Sequence, residues 1–257
     1  MKSKNIFSKA ISAIIKNFKV LNTTVFLSIL LLLPSCESEQ ARQKRLAEGK
    51  KQENTILKEK NCNDLIRWGD IDICLPEIDG MKNTYVLPKM KKKLDDFEYK
   101  GNSVLAYYVS DDVYSQIDNI EEIVYDDYFK IYSVNKLKNA FANNNTLEQV
   151  SNAIKSSLNT DWQARKEKME EQWNDFSFDK PVLIEDYYIT PNVSSLLFLM
   201  KAAIGDCERI MVTTMNIVIV NDRVIYICYY KYYEGEDSIK KTKAKNDYFV
   251  LRFMDEN

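Results

Sequence analysis

Residues Met211–Tyr233 read MVTTMNIVIV-ND-RVIYICYYKYY, two runs of β-branched and aromatic side chains that meet at Asn221-Asp222. Valine, isoleucine, threonine and tyrosine fit a pleated, packed surface. Asparagine and aspartate tolerate the positive φ that a tight hairpin turn demands. The stretch therefore predicts an antiparallel hairpin of strands Met211–Val220 and Arg223–Tyr233, and with it a fold built on an antiparallel sheet.

The flanking sequence extends that sheet. Val182–Ile189 reads as extended, and Ser195–Ala203 as either a strand or a short buried helix. After Gly235, Ser238–Met254 reads as a closing helix on which Tyr248, Leu251 and Phe253 share much of one face. Further back, Thr146-Leu147-Glu148-Gln149 matches a capping box, and Leu147, Val150, Ile154 and Leu158 recur at the spacing of one helix face. Asp161–Trp173, with Trp162, Met169 and Trp173 among charges, reads as a second helix or a continuation of the first. Towards the N-terminus, Asp70–Leu75 alternates and stops at Pro76, so it predicts a half-buried strand followed by a turn at Pro76–Gly80. Asn83–Leu87 reads as a second short strand, Ser103–Val109 as a third, and Glu122–Val134 contains another, with Tyr125, Phe129 and Tyr132 available to a core or a ligand. The whole is one α+β domain over residues 61–257: an antiparallel sheet with helices packed on its faces, a C-terminal helix, and a helical insertion near 134–175.

In element order this resembles the PsbP/DcrB-like fold. The residues that carry the resemblance are Asp70–Gly80, DIDICLPEIDG, and Ile217–Tyr233, IVIVNDRVIYICYYKYY, followed by the terminal helix. The resemblance implies a non-enzymatic accessory, assembly or binding protein.

Residues 1–35 carry Lys2, Lys4, Lys9, Lys16 and Lys19 and no acidic side chain, and the apolar run Val25–Leu33 follows. A basic start and a short apolar run are the layout of a secretory signal. About 20 apolar residues are needed to cross a bilayer, and Asn22, Thr23 and Thr24 interrupt any extension of this run. Leu33-Pro34-Ser35-Cys36 resembles the bacterial lipobox, which implies cleavage before Cys36, a diacylglyceryl group on its sulfur and an acyl chain such as palmitate on its amine. Each buried methylene contributes about 0.8 kcal/mol, so several chains anchor stably. Glu37 after the cysteine resembles outer-membrane sorting in Gram-negative envelopes, with the periplasmic and the surface face both open. Residues 36–60 are dominated by charge and lack a sustained apolar face, so they read as a tether between the lipid and the folded body.

Composition narrows the chemistry. Taking the five lysines of residues 1–35 from 36 basic residues leaves 31 against 38 acidic, a net charge of −7. That balance is no electrostatic footprint for nucleic acid. The chain has no histidine, which removes the commonest general base near neutral pH and the commonest metal ligand, and with them Ser-His-Asp and Cys-His arrangements. No cofactor or metal is expected. Beyond Cys36 stand Cys62, Cys74, Cys207 and Cys228. They read as small buried hydrophobes, with a Cys62–Cys74 disulfide as the alternative.

The densest chemical feature is Tyr229-Tyr230-Lys231-Tyr232-Tyr233. On a strand Tyr230 and Tyr232 face one way and Tyr229 and Tyr233 the other. The group is either an aromatic binding surface or the filling of sheet faces under helices, and filling is the plainer reading. The pairs Asp111-Asp112, Glu121-Glu122 and Asp126-Asp127 lack the alternating spacing and glycine turn of a calcium loop and read as solvated charge. Cys207 has no histidine to activate it, although Arg209 would lower its pKa; it reads as a turn or strand cysteine. The expected function is a membrane-anchored, non-catalytic binding or assembly-accessory module whose partner is another envelope protein. The alternatives are a histidine-free hydrolase acting through carboxylates, and an inhibitor or immunity lipoprotein that captures a single partner.

Overall fold

The computed structural model describes residues 62–98, 101–117, 127–160, 162–163, 166–167, 176–204 and 207–257. The signal at 1–35, Cys36 and the tether at 36–60 lie outside the described residues, as do Glu121, Glu122, Tyr125, Asp126, Met169 and Trp173, and nothing is described of the Cys207 side chain. In chain order the strands are β1 (Leu65–Trp68), β2 (Ile71–Cys74), β3 (Met81–Asn83), β4 (Asn102–Ser110), β5 (Asp127–Val134), β6 (Phe176–Phe178), β7 (Val182–Thr190), β8 (Val193–Ile204), β9 (Cys207–Val220) and β10 (Arg223–Tyr232). The helices are α1 (Pro88–Phe97), α2 (Asp111–Ser115), α3 (Asn144–Thr160) and α4 (Glu236–Glu256).

The hairpin turning at Asn221-Asp222 is the centre of the sheet. Asn221 and Asp222 take φ of 47° and 60°, as a two-residue turn between right-twisted strands requires. From there β9 and β10 pair from Arg223↔Val220 to Tyr232↔Met211. The eight-stranded sheet runs β3-β4-β5-β10-β9-β8-β6, with β7 also on β8, and its pairs are antiparallel. Strands β6 and β7 share the outer edge of β8, β6 at Ala202–Ile204 and β7 at Val193–Leu199. A separate two-stranded sheet holds β1 and β2.

Both faces of the large sheet are covered, so β9 and β10 bury side chains on both sides. On β9, Met211, Met215, Ile217 and Ile219 enter one core, while Val218 and Val220 enter the other. The first core is closed by Met90 of α1 and by Leu147, Val150, Ile154 and Leu158 of α3, the helical face expected from their spacing. The second is closed by Phe249, Val250 and Phe253 of α4 together with Trp68, Ile71, Ile73 and Leu75 of the β1–β2 hairpin. The result is an α+β body of three layers, with the sheet in the middle.

Three local expectations are corrected, and one alternative left open by the sequence is decided. The short strand expected over Asn83–Leu87 ends at Asn83; Thr84 to Leu87 form a turn (Leu87 N–H to the Thr84 carbonyl, 3.0 Å) because Pro88 starts α1. The α3 cap is Asn143, not Thr146. The Thr146 amide donates to Asn143 Oδ1 at 3.0 Å, and the Asn143 amide donates to Thr146 Oγ1 at 3.3 Å. The reciprocal box thus sits three residues earlier, on a better cap residue than threonine. The stretch Ser195–Ala203 is strand, because β7 and β9 flank β8 and supply ladder partners on both sides. Finally, Cys62 and Cys74 are bonded to each other, with Cα atoms 5.8 Å apart. Pairing of Leu65 with Cys74 turns the chain before β1 back alongside β2 and brings the two sulfurs together. Cys228 is the buried core cysteine the sequence suggests.

Candidate binding surface

The tyrosine block does not form an aromatic surface. Tyr229 and Tyr230 are buried, and Tyr232 and Tyr233 are half-buried. The expected alternation holds, but each face is an interior. Tyr230 stacks on Tyr128 at 4.8 Å, and Tyr128 on Tyr107 at 5.1 Å, beneath the α1 and α3 layer. Tyr229 stacks on Phe129 at 4.1 Å, which stacks in turn on Phe249 of α4 at 4.0 Å. The physical reason is position: β10 lies between β5 and β9, with helices over both faces. Burial pushes the Tyr128, Tyr132, Tyr226 and Tyr230 phenols well above their ordinary pKa, so they keep their protons.

The acidic pairs resolve differently. Asp111 and Asp112 begin α2 behind the Ser110 cap, where negative charge suits a helix N-terminus. Asp127 is partly buried between Lys245 at 2.8 Å and Lys231 at 3.2 Å. Among the described residues no group of three histidine, cysteine, aspartate or glutamate side chains could hold a metal ion.

A polar seam runs from the surface of β7 into the interface of α4 with the sheet. Tyr187 donates to Asp247 Oδ1 at 2.7 Å, and Asn246 Nδ2 reaches both Asp247 Oδ1 at 3.2 Å and Asn216 Oδ1 at 3.0 Å. Thr214 and Ser195 donate their hydroxyls to Asn246 and Asn216. Chemically this seam holds rather than reacts. Ser195 is buried without exposure. Burial, then the hydrogen bond to Asp247, raises the Tyr187 phenol far above its ordinary value, so Tyr187 is a donor and not a base.

The apolar surface lies on the outer strand β7 instead. Val182 (58 % exposed), Leu183, Ile184 and Tyr188 (59 %) are all exposed there, and Ile210 of β9 is exposed as well. Two ion pairs fix this strand to both helical layers: Glu185 with Lys243 of α4, and Asp186 with Lys155 of α3 at 2.6 Å. Irregular pairing falls between Leu183 and Glu185 and again between Tyr188 and Thr190. Such bulges bend an outer strand and blunt indiscriminate edge pairing. What β7 offers is therefore exposed apolar side chains along an outer strand, with Val182 and Leu183 on opposite faces of it. The run Val182-Leu183-Ile184 reads in the sequence as strand, but nothing local distinguishes an outer strand from an inner one.

Among the described residues no helix is long and apolar enough to cross a membrane. Comparison with known proteins gives no match to a family model, a curated protein or a solved structure.

Proposed function

We propose that the chain is an envelope lipoprotein, anchored through lipid on Cys36, whose α+β body is a non-catalytic module that binds another envelope protein through β7. The observation that carries the binding reading is the exposed apolar run Val182-Leu183-Ile184 with Tyr188 on a strand braced at Glu185 and Asp186. Exposed apolar side chains gathered on one outer strand mark a candidate interaction site, and a braced strand loses little freedom on binding. The PsbP/DcrB-like reading of the fold draws support from the antiparallel sheet, the central β9–β10 hairpin and the closing helix α4. It suits an accessory or assembly role, with the outer membrane as the expected address.

A photo-crosslinking side chain at position 184, carried by the full lipidated chain in intact cells, tests the surface. The reading expects one dominant adduct with an envelope protein, lost when Val182→Lys is added and retained with the α4 substitution Tyr248→Glu. Crosslinks spread over many proteins, or adducts indifferent to Val182→Lys, would contradict it.

A further inference from the structure

A buried ion pair between α1 and the sheet takes no part in the β7 surface. Lys130 of β5 donates to Glu98 Oε2 at 2.6 Å, and the two side chains are only 2 % and 7 % exposed. The other oxygen, Glu98 Oε1, accepts from Asn102 Nδ2 of β4 at 3.3 Å. One carboxylate therefore holds an amine on one oxygen and a carboxamide on the other. The strands explain the meeting. Asn102 pairs with Val134, and Val134, Tyr132 and Lys130 alternate onto one face of β5. Lys130 Nζ lies 4.7 Å from the centre of the Tyr132 ring, so the side chain runs along that face toward Asn102. Glu98 caps the C-terminal end of α1 and meets both groups there.

We infer that Lys130 and Asn102 become joined by an isopeptide bond that the fold makes for itself, with Glu98 as the catalytic carboxyl. A charged pair taken out of water is a costly arrangement. Passing one proton from Lys130 to Glu98 neutralises both groups and leaves a nucleophilic amine. Nζ then attacks Asn102 Cγ: the Nζ–Cγ bond forms and the Cγ–Nδ2 bond breaks. Of the three ammonium protons, one remains on the new amide. A second travels through Glu98 to Nδ2, which departs as ammonia, and the third stays on Glu98. The step exchanges a buried ion pair for a neutral amide beside a neutral acid, and it requires no oxidant, reductant or cofactor. Holding amine and carboxamide on one carboxylate replaces a chance encounter with a fixed one, and the same carboxylate is placed to move the protons. An ion pair alone would be complete without Asn102. The product is a covalent tie between β4 and β5 that, unlike the Cys62–Cys74 bond, no thiol reductant opens.

Tryptic digestion and tandem mass spectrometry of the full chain, reduced after recovery from cells, tests the inference. The expected product is a branched peptide joining the segments that hold Asn102 and Lys130, one ammonia lighter than the two linear peptides together, with no cleavage after Lys130. Glu98→Gln should slow its formation by about a hundredfold or more. Asn102→Ala should abolish it while keeping the Lys130–Glu98 pair, so the test stands even where Glu98→Gln fails to fold; circular dichroism reports the sheet in each variant. Linear peptides ending at Lys130 and carrying an intact Asn102 in the wild-type chain would overturn the inference, as would a branched peptide that forms at the wild-type rate in folded Glu98→Gln.

Discussion

Asn216 of β9 and Asn246 of α4 exchange side-chain amide bonds in both directions, at 2.7 and 3.0 Å, where neither residue has any solvent exposure. Asn216 Nδ2 also reaches the Ile227 carbonyl at 2.8 Å. An apolar interface tolerates a helix sliding or rotating by small steps, because one aliphatic contact replaces another. A paired amide does not, since any shift strands a buried donor. The pair therefore sets the register of α4 on the sheet, and with it the placement of Lys243 and Asp247 against β7.

Removing half of this pair should cost more than removing all of it. Asn246→Leu leaves the Thr214 hydroxyl without its acceptor and removes two of the bonds of the Asn216 amide, and should destabilise the fold by about 2–3 kcal/mol. Asn216→Val with Asn246→Leu should cost less than the sum of the two single changes. Urea midpoints at unchanged slope measure both quantities. Additive losses would show that the two amides act independently.

Arg223, at the start of β10, forks onto Asp70 in the β1–β2 turn at 2.8 and 3.0 Å across 153 residues of sequence. Its side chain is buried, whereas Asp70 is partly exposed. The turn reaches this position because Gly69 takes φ of +62° and a Cβ there would lie 2.5 Å from the Lys138 carbonyl. Asp70→Asn should cost about 2–3 kcal/mol, since it leaves a buried guanidinium short of its counter-charge. Hydrogen exchange should show β1 and β2 opening before the eight-stranded sheet.

The Cys62–Cys74 bond joins residues 12 apart in sequence. Closing so short a loop stabilises by about 3 kcal/mol, chiefly by restricting the unfolded chain. Cys62→Ala with Cys74→Ala should lower stability by roughly that amount and leave the central sheet intact by circular dichroism. Asn257 also grips this strand, its side chain bonding both the amide and the carbonyl of Cys74 at 2.8 Å. Asn257→Ala should therefore add to the loss.

Asp127 gives the fold a sensitivity to acid. Burial would raise its carboxyl, but the Lys245 hydrogen bond and the charges of Lys245 and Lys231 outweigh burial and hold its pKa below the ordinary value. A group depressed in the folded state stabilises above its unfolded pKa of about 3.9 and loses that contribution as pH falls through the folded value. Asp127→Asn should therefore be less stable than wild type at pH 7, and the gap should close progressively below about pH 4. A gap independent of pH would assign the effect to packing.

Local chemistry made much of this fold readable. Asn221-Asp222 between two β-rich runs specifies the hairpin, and the spacing of Leu147, Val150, Ile154 and Leu158 specifies the α3 face, because both signals are complete within a few residues. The tyrosine block was readable as a strand whose rings fill the sheet faces, but the partners of those rings were not. Its burial depends on pairing with β5, where Tyr230 meets Tyr128 about a hundred positions away. The same limit hid the exposure of Val182–Ile184, the Arg223–Asp70 fork and the Asn216–Asn246 pair. Each of these is a relation between distant segments, and a sequence scan sees only the two separate halves.

The proposed function requires that lipid on Cys36 hold the folded body to a membrane. Growing the producing cells with radiolabelled palmitate and recovering the chain tests this most directly. The account predicts label in the wild-type protein, absent from Cys36→Ser, with the wild-type chain sedimenting with membranes. Unlabelled wild-type protein, or label that persists in Cys36→Ser, would contradict it.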